Sequence, residues 1–173
     1  DLHGDERGFF METYRREWNE QGLLPAGETF IQDNHSRSAR GVLRGMHFQI
    51  GAGVAKLVRC GRGRIFDVAV DLRLGSPTYG QWEGIELDEA SMRQLYVPVG
   101  FAHGFCVLSE VADVSYKQTA YYDAAVERGI AWDDPEIAIE WPLAAEQLIV
   151  SERDAAAPRL SELAAELPFR WGG

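Results

Sequence analysis

The chain has 173 residues, 46% of them hydrophobic, and a formal charge of -10 at pH 7. That length suits a single domain, residues 1–173, able to bury a sizeable core. The acidity argues against nucleic acid or an anionic membrane as partner, but it leaves room for an anionic small molecule held by local arginines.

Asp1 to Gly8 is polar, and Asp5-Glu6-Arg7-Gly8 reads as a turn ahead of Phe9-Phe10-Met11. Thr13 is placed to cap a short helix running to about Gln21 and ended by Gly22. Thr29 to Ile31 starts as a strand, but Asp33 to Ser38 is so polar that alone it reads as a solvated loop. Gly41 to Gln49 is a buried, β-favouring run that nevertheless carries Arg44, His47 and Gln49. Strict alternation would put Arg44 and His47 on opposite faces. A lone buried guanidinium is too costly, so either Arg44 reaches a sheet edge or a bulge at Gly45 brings both residues to one cavity, and of the two the bulge is preferred.

Strand then follows strand: Lys56 to Cys60, a turn at Gly61-Arg62-Gly63, then Arg64 to Leu72. In the last run Ile65, Asp67, Ala69 and Asp71 alternate with Phe66, Val68, Val70 and Leu72, so one face is apolar and the other polar. Gln81 to Leu87 is a further strand. Met92 to Pro98 leads into Val99 to Leu108, expected as a glycine-punctuated pair of strands, and Val111 to Gln118 alternates again. Short strands separated by glycine and proline turns predict an antiparallel sandwich or barrel. Asp133-Asp134-Pro135 and Trp141-Pro142 mark loops. From Ser151 one or two short helices, broken at Pro158, reach about Leu167, and Ser151 with Asp154 fits a capping arrangement.

Cys60 and Cys106 each sit in an apolar run with no disulfide framework or metal-ligand spacing, which suits a reducing cytoplasm. Neither a membrane span nor a signal peptide is expected. The histidines, His3, His35, His47 and His103, show no H-x-H or H-E-x-x-H spacing, so no metal site is expected. There is no serine nucleophile elbow, dinucleotide fingerprint or P-loop. Acid–base chemistry remains. Imidazole is the side chain best suited to proton transfer near neutral pH, which makes His47 the candidate base, with Asp67, Asp71 or Asp154 as the carboxylate behind it. Tyr116 can deliver a proton, and Lys56 can stabilise an oxyanion. Each has an ordinary alternative: a core histidine, a helix-capping aspartate, a core tyrosine, a strand-end lysine.

The segments Asp5 to Glu12, Gln32 to Ser36, Val42 to Gln49, Lys56 to Cys60, Phe66 to Asp71, Ser76 to Gly80, Pro98 to Phe105, Tyr116-Lys117, Tyr121-Tyr122, Trp141-Pro142 and Ser151 to Pro158 together resemble the dTDP-4-dehydrorhamnose 3,5-epimerase family. They fall in order over nearly the whole chain. The resemblance implies a cupin-type jelly roll, mainly β with a few short helices near the termini, a homodimer, no metal and no cofactor. It implies epimerisation of dTDP-4-dehydro-6-deoxyglucose at C3 and C5, beside the C4 ketone. By the same resemblance His47 is the base supported by Asp154, Tyr116 the acid on the opposite face, Lys56 the residue beside the carbonyl, and His103 part of the sugar pocket. Arg7, Glu12, Gln32, Asn34, Arg44 and Tyr122 match positions that hold the nucleotide and diphosphate, and Arg153 stands where the family often has lysine. The family pattern carries a further segment before Asp5-Glu6-Arg7-Gly8, so an N-terminal piece is expected to precede Asp1. The alternatives are a mono-epimerase of a related keto-deoxysugar and a non-catalytic, carbohydrate-binding jelly roll.

Overall fold

The computed structural model describes residues 2–22, 24–25 and 27–172 and forms two compact units, residues 1–30 and 31–173. In the first, β1 (Leu2–Asp5) and β2 (Gly8–Met11) pair antiparallel from Leu2 opposite Met11 to Asp5 opposite Gly8. Arg7, at the turn, bonds back to the Asp5 carboxylate through backbone and guanidinium. The hairpin leaves Leu2, Phe9 and Phe10 exposed. The helix expected from Thr13 to Gln21 is a single turn, α1 (Glu17–Glu20), with Arg16 rather than Thr13 at its cap position. Its apolar stripe is only Tyr14 and Trp18, whose rings meet edge-on 6.1 Å apart, too little to offset the cost of nucleating a longer helix.

The second unit is a pair of antiparallel sheets. β3 (Gln32–Ala39), β10 (Val111–Gln118), β5 (Lys56–Arg62) and β8 (Gln94–Val97) lie in that order in one. β11 (Glu127–Gly129), β4 (Val42–Gln49), β9 (Phe101–Val107), β6 (Arg64–Asp71) and β7 (Trp82–Asp88) form the other. A two-residue β12 (Ile149–Val150) runs parallel to β4 and pairs directly with Val42 and Leu43 at its start. The turn at Gly63 carries the chain from one sheet to the other. Val58, Cys60, Val97 and Val114 of the first sheet pack against Ile65, Leu87, Phe105 and Val107 of the second. A second core covers the other face of the larger sheet, where Met46, Phe48, Val68 and Val70 meet Leu160, Leu163, Leu167 and Phe169. These last come from α3 (Leu160–Leu163) and the chain after it; α2 (Glu152–Ala155) precedes Pro158. This is the jelly-roll sandwich expected.

Three local readings change. Asp33 to Ser38 is strand, not loop: β3 alternates, with Gln32, Asn34, Ser36 and Ser38 turned inward and Asp33, His35 and Arg37 exposed. Its polarity reflects a polar cavity on one side and solvent on the other. Val99 to Leu108 holds one strand rather than two, because Gly104 does not break β9. A Cβ there would lie 2.5 Å from Met46 Sδ and 2.8 Å from the Arg44 carbonyl, so this glycine lets β4 and β9 approach closely. The polar face of β6 is interior: Asp67 and Asp71 are buried with Ile65.

Candidate active site

Both sheets contribute side chains to a cavity of about 670 Å³. All the predicted site residues of the second unit line it: Gln32 and Asn34 from β3, Arg44 and His47 from β4, Lys56, His103, Tyr116, Tyr122, Arg153 and Asp154. Arg7 and Glu12 belong to the N-terminal unit, where Arg7 forks onto Asp5 and Glu12 pairs with Arg15 at 3.2 Å.

The expected irregularity in β4 is present. Leu43 and Arg44 pair with Cys106 and Phe105, the register shifts, and His47 then pairs with His103. Gly45 takes a φ of 138°, and a Cβ on it would lie 2.5 Å from the Gly104 Cα. Only glycine fits that conformation and that contact. The shift is what allows Arg44 and His47, three residues apart, to reach one cavity. Arg44 Nε donates to Ser38 Oγ at 3.1 Å.

Asp154 is the partner of His47. Ser151 caps α2 by accepting from the Asp154 backbone N–H at 3.1 Å, so the cap uses the main chain of Asp154 and spares its carboxylate. Oδ1 lies 2.7 Å from His47 Nε2, and Oδ2 accepts from the Gly45 N–H at 3.3 Å. Burial pushes this carboxyl up, but the His47 bond and charge, the Gly45 N–H and Arg153 together hold it below the usual carboxylate range. It is therefore an acceptor, able to fix the imidazole and to balance its positive charge. The Cδ2 edge of the ring lies toward Gly129. When Nε2 donates to Asp154, Nδ1 is the nitrogen left to meet a substrate.

Of the other carboxylates considered for His47, Asp67 belongs to His103 instead, with Oδ1 2.8 Å from Nε2. Asp71 accepts from Arg73, Ser76 and Thr78 and is structural. Burial holds His103 toward the neutral form against the pull of Asp67. Its Nε2–H then donates to Asp67, and Nδ1 is left as an acceptor suited to a hydroxyl.

Lys56 is buried, and its ammonium has no hydrogen-bond partner among the described residues; it stands 5.9 Å from the centre of the Tyr116 ring. Desolvation lowers its pKa to about 8, although Asp67 and Glu127 oppose the change. An unpaired cation facing a cavity is suited to a developing oxyanion. Burial, reinforced by Glu127, raises the Tyr116 phenol, so it keeps its proton at neutral pH.

Sequence reasoning missed Glu127 and Gln118. Glu127 Oε2 accepts from Tyr122 Oη at 3.1 Å and from Arg153 Nη1 at 2.5 Å. Gln118 Oε1 accepts from Gln32 at 3.0 Å and Asn34 at 2.9 Å, which orients both amides. Gln118 could have been found from its parity with Tyr116 on β10. Glu127 lies on a three-residue strand too short to show a period.

A sequence model of a family described as dTDP-4-dehydrorhamnose 3,5-epimerase matches residues 1–162. A protein of that name from Pseudomonas aeruginosa is 55% identical over 154 residues, 88% of this chain and 83% of its own. Its namesake from Salmonella typhimurium is 52% identical over 163 residues, 93% of this chain and 87% of its own. The crystal structure of a Legionella pneumophila dTDP-6-deoxy-D-glucose-3,5-epimerase in complex with dTDP-4-keto-L-rhamnose superposes with a TM-score of 0.95 at 50% identity, covering 100% of this chain and 91% of that one.

Proposed function

This chain belongs to the dTDP-4-dehydrorhamnose 3,5-epimerase family, and from that premise we propose how its cavity works on a dTDP-linked 4-keto-6-deoxyhexose. The ketone at C4 acidifies the hydrogens at C3 and C5, so inversion needs a base on one face, an acid on the other and a cation at the enolate oxygen. His47 takes the proton through Nδ1, with Asp154 fixing the tautomer through Nε2. Lys56 meets the C4 oxygen as charge builds on it. Tyr116 returns a proton from the opposite face, and His103 accepts from a sugar hydroxyl. Gln32, Asn34, Arg44, Tyr122 and Arg153 hold the nucleotide and diphosphate; for Arg7 and Glu12 the same role is carried by the family resemblance alone.

The observation that carries this reading is the 2.7 Å His47–Asp154 approach in a cavity that also holds a protonated phenol and a buried lysine with no hydrogen-bond partner among the described residues. A carbohydrate-binding jelly roll has no use for that set. We further propose a homodimer, which the exposed Phe9 and Phe10 support, and a cytoplasmic setting, which the two buried free thiols support.

Turnover of dTDP-4-dehydro-6-deoxyglucose in deuterium oxide is the test. Deuterium should enter at both C3 and C5. Label at one carbon makes the protein a mono-epimerase; no label makes it a binder. His47→Asn should abolish incorporation and Asp154→Asn slow it strongly, while Tyr116→Phe should impair net inversion more than wash-in. Wild-type exchange in His47→Asn would remove the mechanism.

A further inference from the structure

His47 Nε2 has two claimants. Asp154 Oδ1 lies 2.7 Å from it, and Arg153 Nη2 also lies 2.7 Å from it. One imidazole nitrogen cannot serve both. If Nε2 carries a proton it donates to Asp154, and Arg153 then faces it with a second donor. If Nε2 is bare it accepts from Arg153, and the ring proton must sit on Nδ1. The two arrangements have opposite chemical consequences. Bonded to Asp154 the ring offers a bare Nδ1, a base; bonded to Arg153 it offers Nδ1–H, which is none.

Arg153 is held in this position from a third side. Its Nη1 lies 2.5 Å from Glu127 Oε2, itself fixed by Tyr122 Oη at 3.1 Å, and its Nε lies 3.3 Å from Asp154 Oδ1. The Arg153 side chain is 59% exposed and Glu127 16%. The arginine is thus the solvent-facing member of the pair and the glutamate the sheltered one. Moving the guanidinium exposes no buried charge on the arginine's side.

We propose that Arg153 is a positioning residue that sets the tautomer of His47: anchored by Glu127 it occupies Nε2 and keeps the base masked, and the substrate's diphosphate draws it off so that Asp154 takes the Nε2–H and Nδ1 is bared. This rests on the reading of the cavity as a dTDP-sugar site. A diphosphate competes well for the arginine because it offers several charged acceptors in fork geometry. The base is then switched on only when the nucleotide is in place, which protects the site from idle proton exchange.

The test is 15N NMR of histidine-labelled protein at slightly alkaline pH, with the His47 resonances assigned from His47→Asn. In the ligand-free wild type, Nδ1 should appear protonated and Nε2 bare. Arg153→Ala should reverse the pattern without ligand, and Glu127→Gln should move it part of the way. Adding thymidine diphosphate to the wild type should give the Arg153→Ala pattern. A protonated Nε2 in the ligand-free wild type, or an identical pattern in Arg153→Ala, overturns the proposal. Thymidine diphosphate that binds, as seen in Tyr122 ring shifts, without moving the proton overturns the release step. Failure of the nucleotide to bind overturns the dTDP-sugar reading and the release step with it, while the comparison of wild type with Arg153→Ala still decides whether the arginine sets the tautomer.

Discussion

In the proposed mechanism Lys56 sits at the centre of the chemistry, because its buried ammonium has no hydrogen-bond partner among the described residues. A buried ammonium is tolerated where a ligand oxygen completes it, and its depressed pKa of about 8 records what burial costs before that happens. Below that value the lysine is charged and can stabilise the enolate; above it the proton is lost and so is the stabilisation. The pH profile of kcat/KM, which reports the free enzyme, should therefore fall on the alkaline side with a midpoint near 8. Lys56→Met should remove that limb and lower the rate by about 10²–10³-fold, the usual loss on deleting one oxyanion donor. An unchanged alkaline limb in the variant would assign it to another group. Tyr116 is not that group, since its phenol is displaced upward.

At the scale of the strand, the site depends on how closely β4 and β9 approach. Gly45 and Gly104 face each other across the pair, and either Cβ would meet the other's Cα or its neighbours within about 3 Å. The contact sets the register shift that brings Arg44 and His47 into the cavity and puts His47 opposite His103. Gly104→Ala should cost roughly 1–3 kcal/mol in denaturant unfolding, as overpacking does, and should depress kcat by more than that loss of stability explains. Full activity in a folded Gly104→Ala protein would show that the close approach is not what positions the base. β3 teaches a related lesson: its alternation of inward amides and outward charges is a strand period, concealed because both faces are polar.

For the whole molecule the expected assembly is a dimer. The N-terminal hairpin exposes Leu2, Phe9 and Phe10 at 52%, 56% and 67%, a concentration of apolar surface that a partner would cover. Sedimentation equilibrium should give about twice the chain mass of 19.3 kDa, and replacing Phe9 and Phe10 together by serine should shift the protein toward monomer. A monomeric wild type at assay concentration would reject the dimer.

Much of the fold was legible because strand identity is written with a period of two over a few residues. β6 and β10 fell where alternation placed them, and the irregularity expected in β4 is present at Gly45, although Arg44 itself is exposed rather than buried. The inventory of base, acid, cation and carboxylates was legible too, and family resemblance chose among the carboxylates. What local sequence could not supply was pairing. Asp154 lies 107 residues from His47, and Asp67 lies 36 from His103, so which aspartate serves which histidine is fixed by sheet register and by where α2 meets β4. Glu127 and the contest for Nε2 belong wholly to the tertiary structure, since no pattern along a chain records which distant side chains converge on one nitrogen.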